Sequence, residues 1–164
     1  MKPILFLVCI FQMSTLFAQE YLLKNEKEVF SFDTHKGKRL VIANDTIQDY
    51  LVYRFGTKEK IEFEYPNDLE KSWSRFKFTS YFRGGGIQND GIDLNYLLFI
   101  NEGYQYIVFS EYYASDNSQR CGIKIINQRN QKTTVIHGDI TTNKGTLVDF
   151  RSNDKIEKTD GIPE

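Results

Sequence analysis

"YLVYRFGTKEKIEFEY", residues 50–65, is the stretch whose reading decides the fold. Apolar residues alternate with polar ones after the connection GTKE: Ile61, Phe63 and Tyr65 share one face, while Glu62 and Glu64 take the other. A period of two marks a strand with one buried face, and two such runs around a short glycine-containing link read as an antiparallel hairpin. Pro66-Asn67-Asp68 ends the second strand, because proline has no amide hydrogen to give to a ladder.

The same alternation continues in both directions, punctuated by Gly/Asn/Asp clusters, and predicts an all-β domain. EVFSFDT (28–34) and RLVIAN (39–44) pair across HKGK, and CGIKIIN (121–127) and KTTVIHG (132–138) pair across QRNQ. IDLNYLLFI (92–100) and YQYIVFSEYYA (104–114) meet at Asn101-Glu102-Gly103, a short hairpin connection. Both are apolar on two faces for part of their length, as in the middle of a sandwich or the wall of a strongly curved barrel. DLEKSW (68–73) has room for one helical turn, WSRFKFTSYF (73–82) reads as a strand, and GTLVDF (145–150) as a closing strand. Connections this local favour an antiparallel meander forming a small barrel or a two-sheet sandwich.

Residues 1–18 read as a signal peptide: Lys2, an apolar run from Ile4 to Phe11, and the small Ala18 before Gln19. Gln12, Ser14 and Thr15 interrupt the run, which is therefore short of the roughly 20 apolar residues of a membrane anchor. Export to the periplasm or the extracellular space is the expectation, with no membrane insertion after cleavage. Residues 19–150 then form a single β domain, and 151–164, polar and aperiodic, a flexible tail. Removing 18 of 164 residues leaves 146. A chain of that size buries roughly 70% of its unfolded surface without covalent staples.

Charge and cysteine content narrow the function classes. The mature chain carries 20 basic residues, after loss of Lys2, against 22 acidic ones. It has no surplus of cations to displace counterions, so no nucleic-acid partner is expected. Cys121 is the one cysteine left after residue 18, so no internal disulfide forms, and its place in an apolar strand reads as a buried thiol. Two histidines in the whole chain are a poor supply for a closed zinc site, and neither a metal nor a cofactor is expected. No nucleophile–base spacing stands out. Glu62, Glu64, Glu102 and Glu111 are the carboxylates open to pairing in space, so a small carboxylate-dependent enzyme is the third-ranked reading, with Glu111 its odd member in an apolar strand.

One segment points to binding. SYFRGGGIQNDGIDLNY (80–96) carries three consecutive glycines after Arg83. A phosphate cradle would continue into a helix, whereas strand-like sequence follows Gly86-Ile87-Gln88. Asn89, Asp90, Asp93 and Asn95 supply oxygens, but not at calcium-loop spacing. The bend itself accounts for the glycines. The strand leading into it alternates Phe76, Phe78 and Phe82 on one face with Trp73, Arg75, Lys77, Tyr81 and Arg83 on the other. Trp, Tyr and Arg are the residues that dominate interface energetics. The candidate partner-binding set is therefore Trp73, Arg75, Tyr81, Arg83, Gly84, Gly85, Gly86, Asn89 and Asp90. An alternative for the cations is a cross-strand ladder of Arg75 and Lys77 with Glu62 and Glu64.

YLVYRFGTKEKIEFEYP, SYFRGGG and NEGYQYIVFSEYY, within residues 50–113, resemble small secreted β-domains of Gram-negative bacteria, a group without an assigned activity. The resemblance implies an exported bacterial β-domain and carries no site residues. Together these features lead to the expectation of a non-enzymatic binding protein of the bacterial envelope, an inhibitor or immunity-like partner of a hydrolase or toxin. A carbohydrate-binding module with a Tyr/Trp stacking platform is the alternative, supported by ten tyrosines. The partner is thus a protein or a glycan.

Overall fold

The computed structural model describes residues 21–163; the signal-peptide reading falls on 1–18, outside them. Ten strands follow one another: β1 Glu26–Thr34, β2 Arg39–Asp45, β3 Tyr50–Gly56, β4 Ile61–Tyr65, β5 Lys77–Arg83, β6 Ile92–Asn101, β7 Tyr104–Tyr113, β8 Ser118–Asn127, β9 Thr133–Gly145 and β10 Glu157–Lys158. They form one sheet in the order β10-β5-β6-β7-β8-β9-β1-β2-β3-β4. All pairings are antiparallel except β10 with β5. The sheet curls into a half-barrel. The expected hairpins are all present, on a single curled sheet rather than two stacked ones.

Curling follows from where the large side chains lie. Phe30, Phe32, Leu40, Ile42, Tyr53, Phe78, Leu97, Phe99, Val108 and Ile123 meet in one cluster on the enclosed face. β4 is far from β6 and β7 in the strand order, yet its Tyr65 stacks on Phe99 of β6 at 4.2 Å and its Phe63 lies 5.1 Å from Tyr106 of β7. Each such aromatic pair contributes about 0.5–1.5 kcal/mol beyond area burial, and together they hold the β4 edge over the enclosed face of β6 and β7. The register Tyr96↔Phe109 and Leu98↔Ile107 puts a second cluster, with Leu94, on the opposite face of β6 and β7. That accounts for their two-sided apolarity.

β9 makes the corner. Its first half pairs with β8 through Gly122↔His137, and its second half pairs with β1 from Thr34↔Gly138 onward. A Cβ on Gly138 would lie 2.4 Å from the Phe32 ring and 2.7 Å from Cys121 Sγ, so only glycine lets the strand pass that close.

Three expectations need correction. GTLVDF is not a strand: Val148–Ser152 is a 3-10 turn that sends Phe150 into the core. Trp73 lies in the 3-10 turn Ser72–Arg75, not on the solvent face of β5. The segment after Arg151 is tied down: Ile156 is buried, Glu157–Lys158 pair with Lys77–Phe78, and Thr159 N donates to Phe78 O at 2.9 Å. Apolar Ile156 is the one strong anchor in that polar sequence.

Candidate functional site at the glycine-rich end of the sheet

β5 and β6 are in register from Lys77↔Leu98 to Arg83↔Ile92, leaving residues 84–91 to make the connection. This connection is a closed turn. Gly86–Asn89 form a 3-10 turn, and Gly91 N donates to Gly86 O at 2.8 Å. Arg83 donates from Nε (2.9 Å) and Nη2 (2.6 Å) to Asp90 O, and Asn89 Nδ2 donates to Gly84 O at 2.8 Å. Gly85 sits at φ 99°, and a Cβ there would lie 2.7 Å from Asn89 Cβ. The glycine thus serves a tight closure, with Asn89 packed against its backbone. What the closed turn presents to solvent is Ile87, 71% exposed.

The structure brings together Tyr81, Arg83, Gly84, Gly85, Gly86, Asn89 and Asp90, and leaves out Trp73 and Arg75. These two precede Lys77, at the other end of β5 and roughly 20 Å away at the ordinary rise per strand residue. Trp73 is buried: its Nε1 donates to Asp49 O at 3.0 Å and its ring meets Phe150 edge-on at 6.3 Å. Arg75 is exposed and, with Lys77, lines a cavity of about 540 Å³ closed on one side by Thr159–Pro163. Neither cation forms the expected ladder, for Lys77 pairs with Glu157, Glu62 with Lys38 and Glu64 with Arg54.

Sequence reasoning missed Phe82. Its parity with Phe76 and Phe78 predicts burial, and both of those are buried, but Phe82 is 65% exposed. It stands opposite Asp93 at the rim, where the enclosed face changes from apolar to polar, and the Arg151 guanidinium lies 5.5 Å from its ring centroid. Arg151 also forms an ion pair with Asp93. No local sequence signal joins residue 151 to residues 82 and 93.

Beyond that rim lies a second cleft, of about 240 Å³, lined by Asp93, Asn95, Ser110, Tyr112, Gln119 and Asn143 among others. The register Asp93↔Tyr112, Asn95↔Ser110 and Tyr112↔Gln119 sets these side chains on the enclosed face. Glu111 belongs to the opposite face, where its carboxylate accepts from the Tyr96 hydroxyl at 2.9 Å. Burial and that bond push the Tyr96 phenol well above its ordinary range. Burial pushes the Cys121 thiol up to about 11, with Asp139 adding to the effect. Cys121 and Gly122↔His137 lie on opposite faces, with His137 against Phe109, so thiol and imidazole do not meet. Among the described residues no group of three or more His, Cys, Asp or Glu is placed to hold a metal ion.

No family model, curated protein or solved structure shows a significant match to this chain.

Proposed function

We propose that this chain is an exported, non-enzymatic binding protein of the bacterial envelope, which captures another protein with the closed turn between β5 and β6. The observation that carries the reading is the turn itself. Arg83 and Asn89 spend their donors on the turn's own carbonyls, so a partner meets a preformed shape. A loop ordered before binding does not lose that entropy on association. Ile87, Phe82 and Tyr81 are exposed by 71%, 65% and 43%; Phe82 and Tyr81 flank the end of β5 on its two faces as it enters the turn, and exposed apolar and aromatic side chains of this kind anchor protein interfaces. An inhibitor or immunity-like partner of a hydrolase or toxin is the concrete form, with Ile87 entering a cleft and the two aromatics sealing around it. Arg83 acts by positioning the turn. The leader read in residues 1–18 supports export. The glycan-platform alternative loses its tryptophan, because Trp73 is buried.

A photo-reactive phenylalanine at position 87 tests this in the cell. Its crosslinks to a protein partner should be absent when the same group replaces Tyr104, in the β6–β7 hairpin at the other end of the sheet. Identical crosslinks from both positions, or none from position 87, would remove the turn as the site.

A further inference from the structure

We infer that the polar cleft beside the turn is a binding site for a neutral, hydroxyl-rich small molecule of monosaccharide size. The inference begins with Asn95. Its residue is 3% exposed, and its Nδ2 donates to Asp93 Oδ1 at 2.6 Å. The Asp93 carboxylate accepts only, so it fixes which end of the amide faces it. Asn95 Oδ1 is left buried without a hydrogen-bond partner. An unmet buried carbonyl costs about 1–3 kcal/mol, and a group that donates to it recovers that cost.

The surroundings select the donor. The Ser110 and Gln119 side chains, which line the same cleft, form no hydrogen bond among the described residues. Asn143 uses its Nδ2 on Ser31 O at 3.0 Å and keeps its amide oxygen available. Asp93 and Glu111 are the charged residues that line the cleft: Arg151 neutralises Asp93, and Glu111 turns its carboxylate to the opposite face, onto the Tyr96 hydroxyl. A phosphate or carboxylate ligand therefore finds no free cation, and an amine finds no free carboxylate. A sugar hydroxyl both donates and accepts, so it serves the Asn143 amide oxygen and the Ser110 or Gln119 side chain at once, and it reaches Asn95 Oδ1 when that closed-off amide turns towards the cleft. It also replaces the water that fills an open polar cleft with the fewest hydrogen bonds lost. Tyr112 lines the cleft, where an apolar sugar face packs against its ring. A volume of about 240 Å³ suits one pyranose rather than an extended chain.

This site is separate from Ile87, which keeps its test distinct from that of the protein-binding turn. Saturation-transfer NMR on the full mature chain with glucose, galactose, mannose and N-acetylglucosamine, and phosphorus NMR with inorganic phosphate as the charged control, reads it directly. At least one sugar should bind, and Asn95→Ala should weaken it by about five- to tenfold, the worth of one hydrogen bond to a buried acceptor. Gln119 is exposed, so Gln119→Ala is the variant that leaves the fold intact while also weakening the sugar. Ile87→Asp should leave the sugar affinity unchanged. Absence of binding by all four sugars, equal affinity in wild type and Gln119→Ala, or binding of phosphate in their place would overturn the inference.

Discussion

Arg54 shows how strongly single side chains are committed in this fold. Its Nη2 donates to Glu26 Oε1 at 2.9 Å, its Nη1 to Tyr21 O at 2.9 Å, and its side chain is 3% exposed beside a Glu26 side chain at 0%. Tyr50 OH and Leu23 N also donate to Glu26. Breaking such a pair leaves a buried charge without its partner, so Arg54→Met should lower unfolding free energy by about 3–5 kcal/mol in a denaturant titration. Arg83 is engaged differently, at the surface. Arg83→Met removes two bonds to Asp90 O, and it should raise the hydrogen-exchange rate of the Gly91 amide about five- to tenfold while leaving the core amides unchanged. At this scale the sequence was readable where parity and burial agree, as at Phe76 and Phe78. It misled at Phe82, because the floor beneath that position is made by Asp93 and Arg151 from distant parts of the chain. It misled at Trp73 because a 3-10 turn, not a strand, carries that ring.

The elements divide into those written locally and those written at a distance. The hairpins β1–β2, β3–β4, β6–β7 and β8–β9 are each announced by alternation and a turn residue, and the structure has all of them. β10 has two residues and pairs in parallel with a strand some eighty positions earlier, so no periodicity could announce it. Its anchor makes a clear prediction. Ile156 is 3% exposed, and Ile156→Ala should cost about 2–4 kcal/mol in thermal or chemical unfolding, far more than a loose tail would allow. An unchanged midpoint would detach this segment from the core. The β5–β6 connection was legible as a bend from its glycines; its closure by Asn89 and Arg83 was not, since a side-chain bond to a backbone carbonyl leaves no pattern in sequence.

For the whole molecule, the curl of the sheet rests on contacts such as Tyr65 with Phe99, between β4 at one edge and β6, third from the other. Alternation is the same in a sandwich and in a curled sheet, so the choice was not written in the strands themselves. Global stability should fail on both sides of neutral pH. Burial works to raise the Glu26 carboxyl, but its bonds from Arg54, Leu23 N and Tyr50 hold it below its ordinary 4.5. That contribution is present above pH 4.5 and is lost as pH falls below it, so the unfolding midpoint should drop there. Burial raises the phenols of Tyr21 and Tyr50 from 10 to about 12, and the bond to Glu26 adds to the rise at Tyr50. Their contribution is intact below pH 10 and is lost as pH climbs towards about 12, where phenolate absorbance should appear together with unfolding.

The measurement that bears most directly on function is affinity capture from an envelope extract, with the mature chain beside an Ile87→Asp variant of equal thermal stability. A protein retained by the wild-type chain and lost with Ile87→Asp is the predicted result, and it would place the interface on the closed turn. The same proteins on both chains, or none on either, would contradict the account.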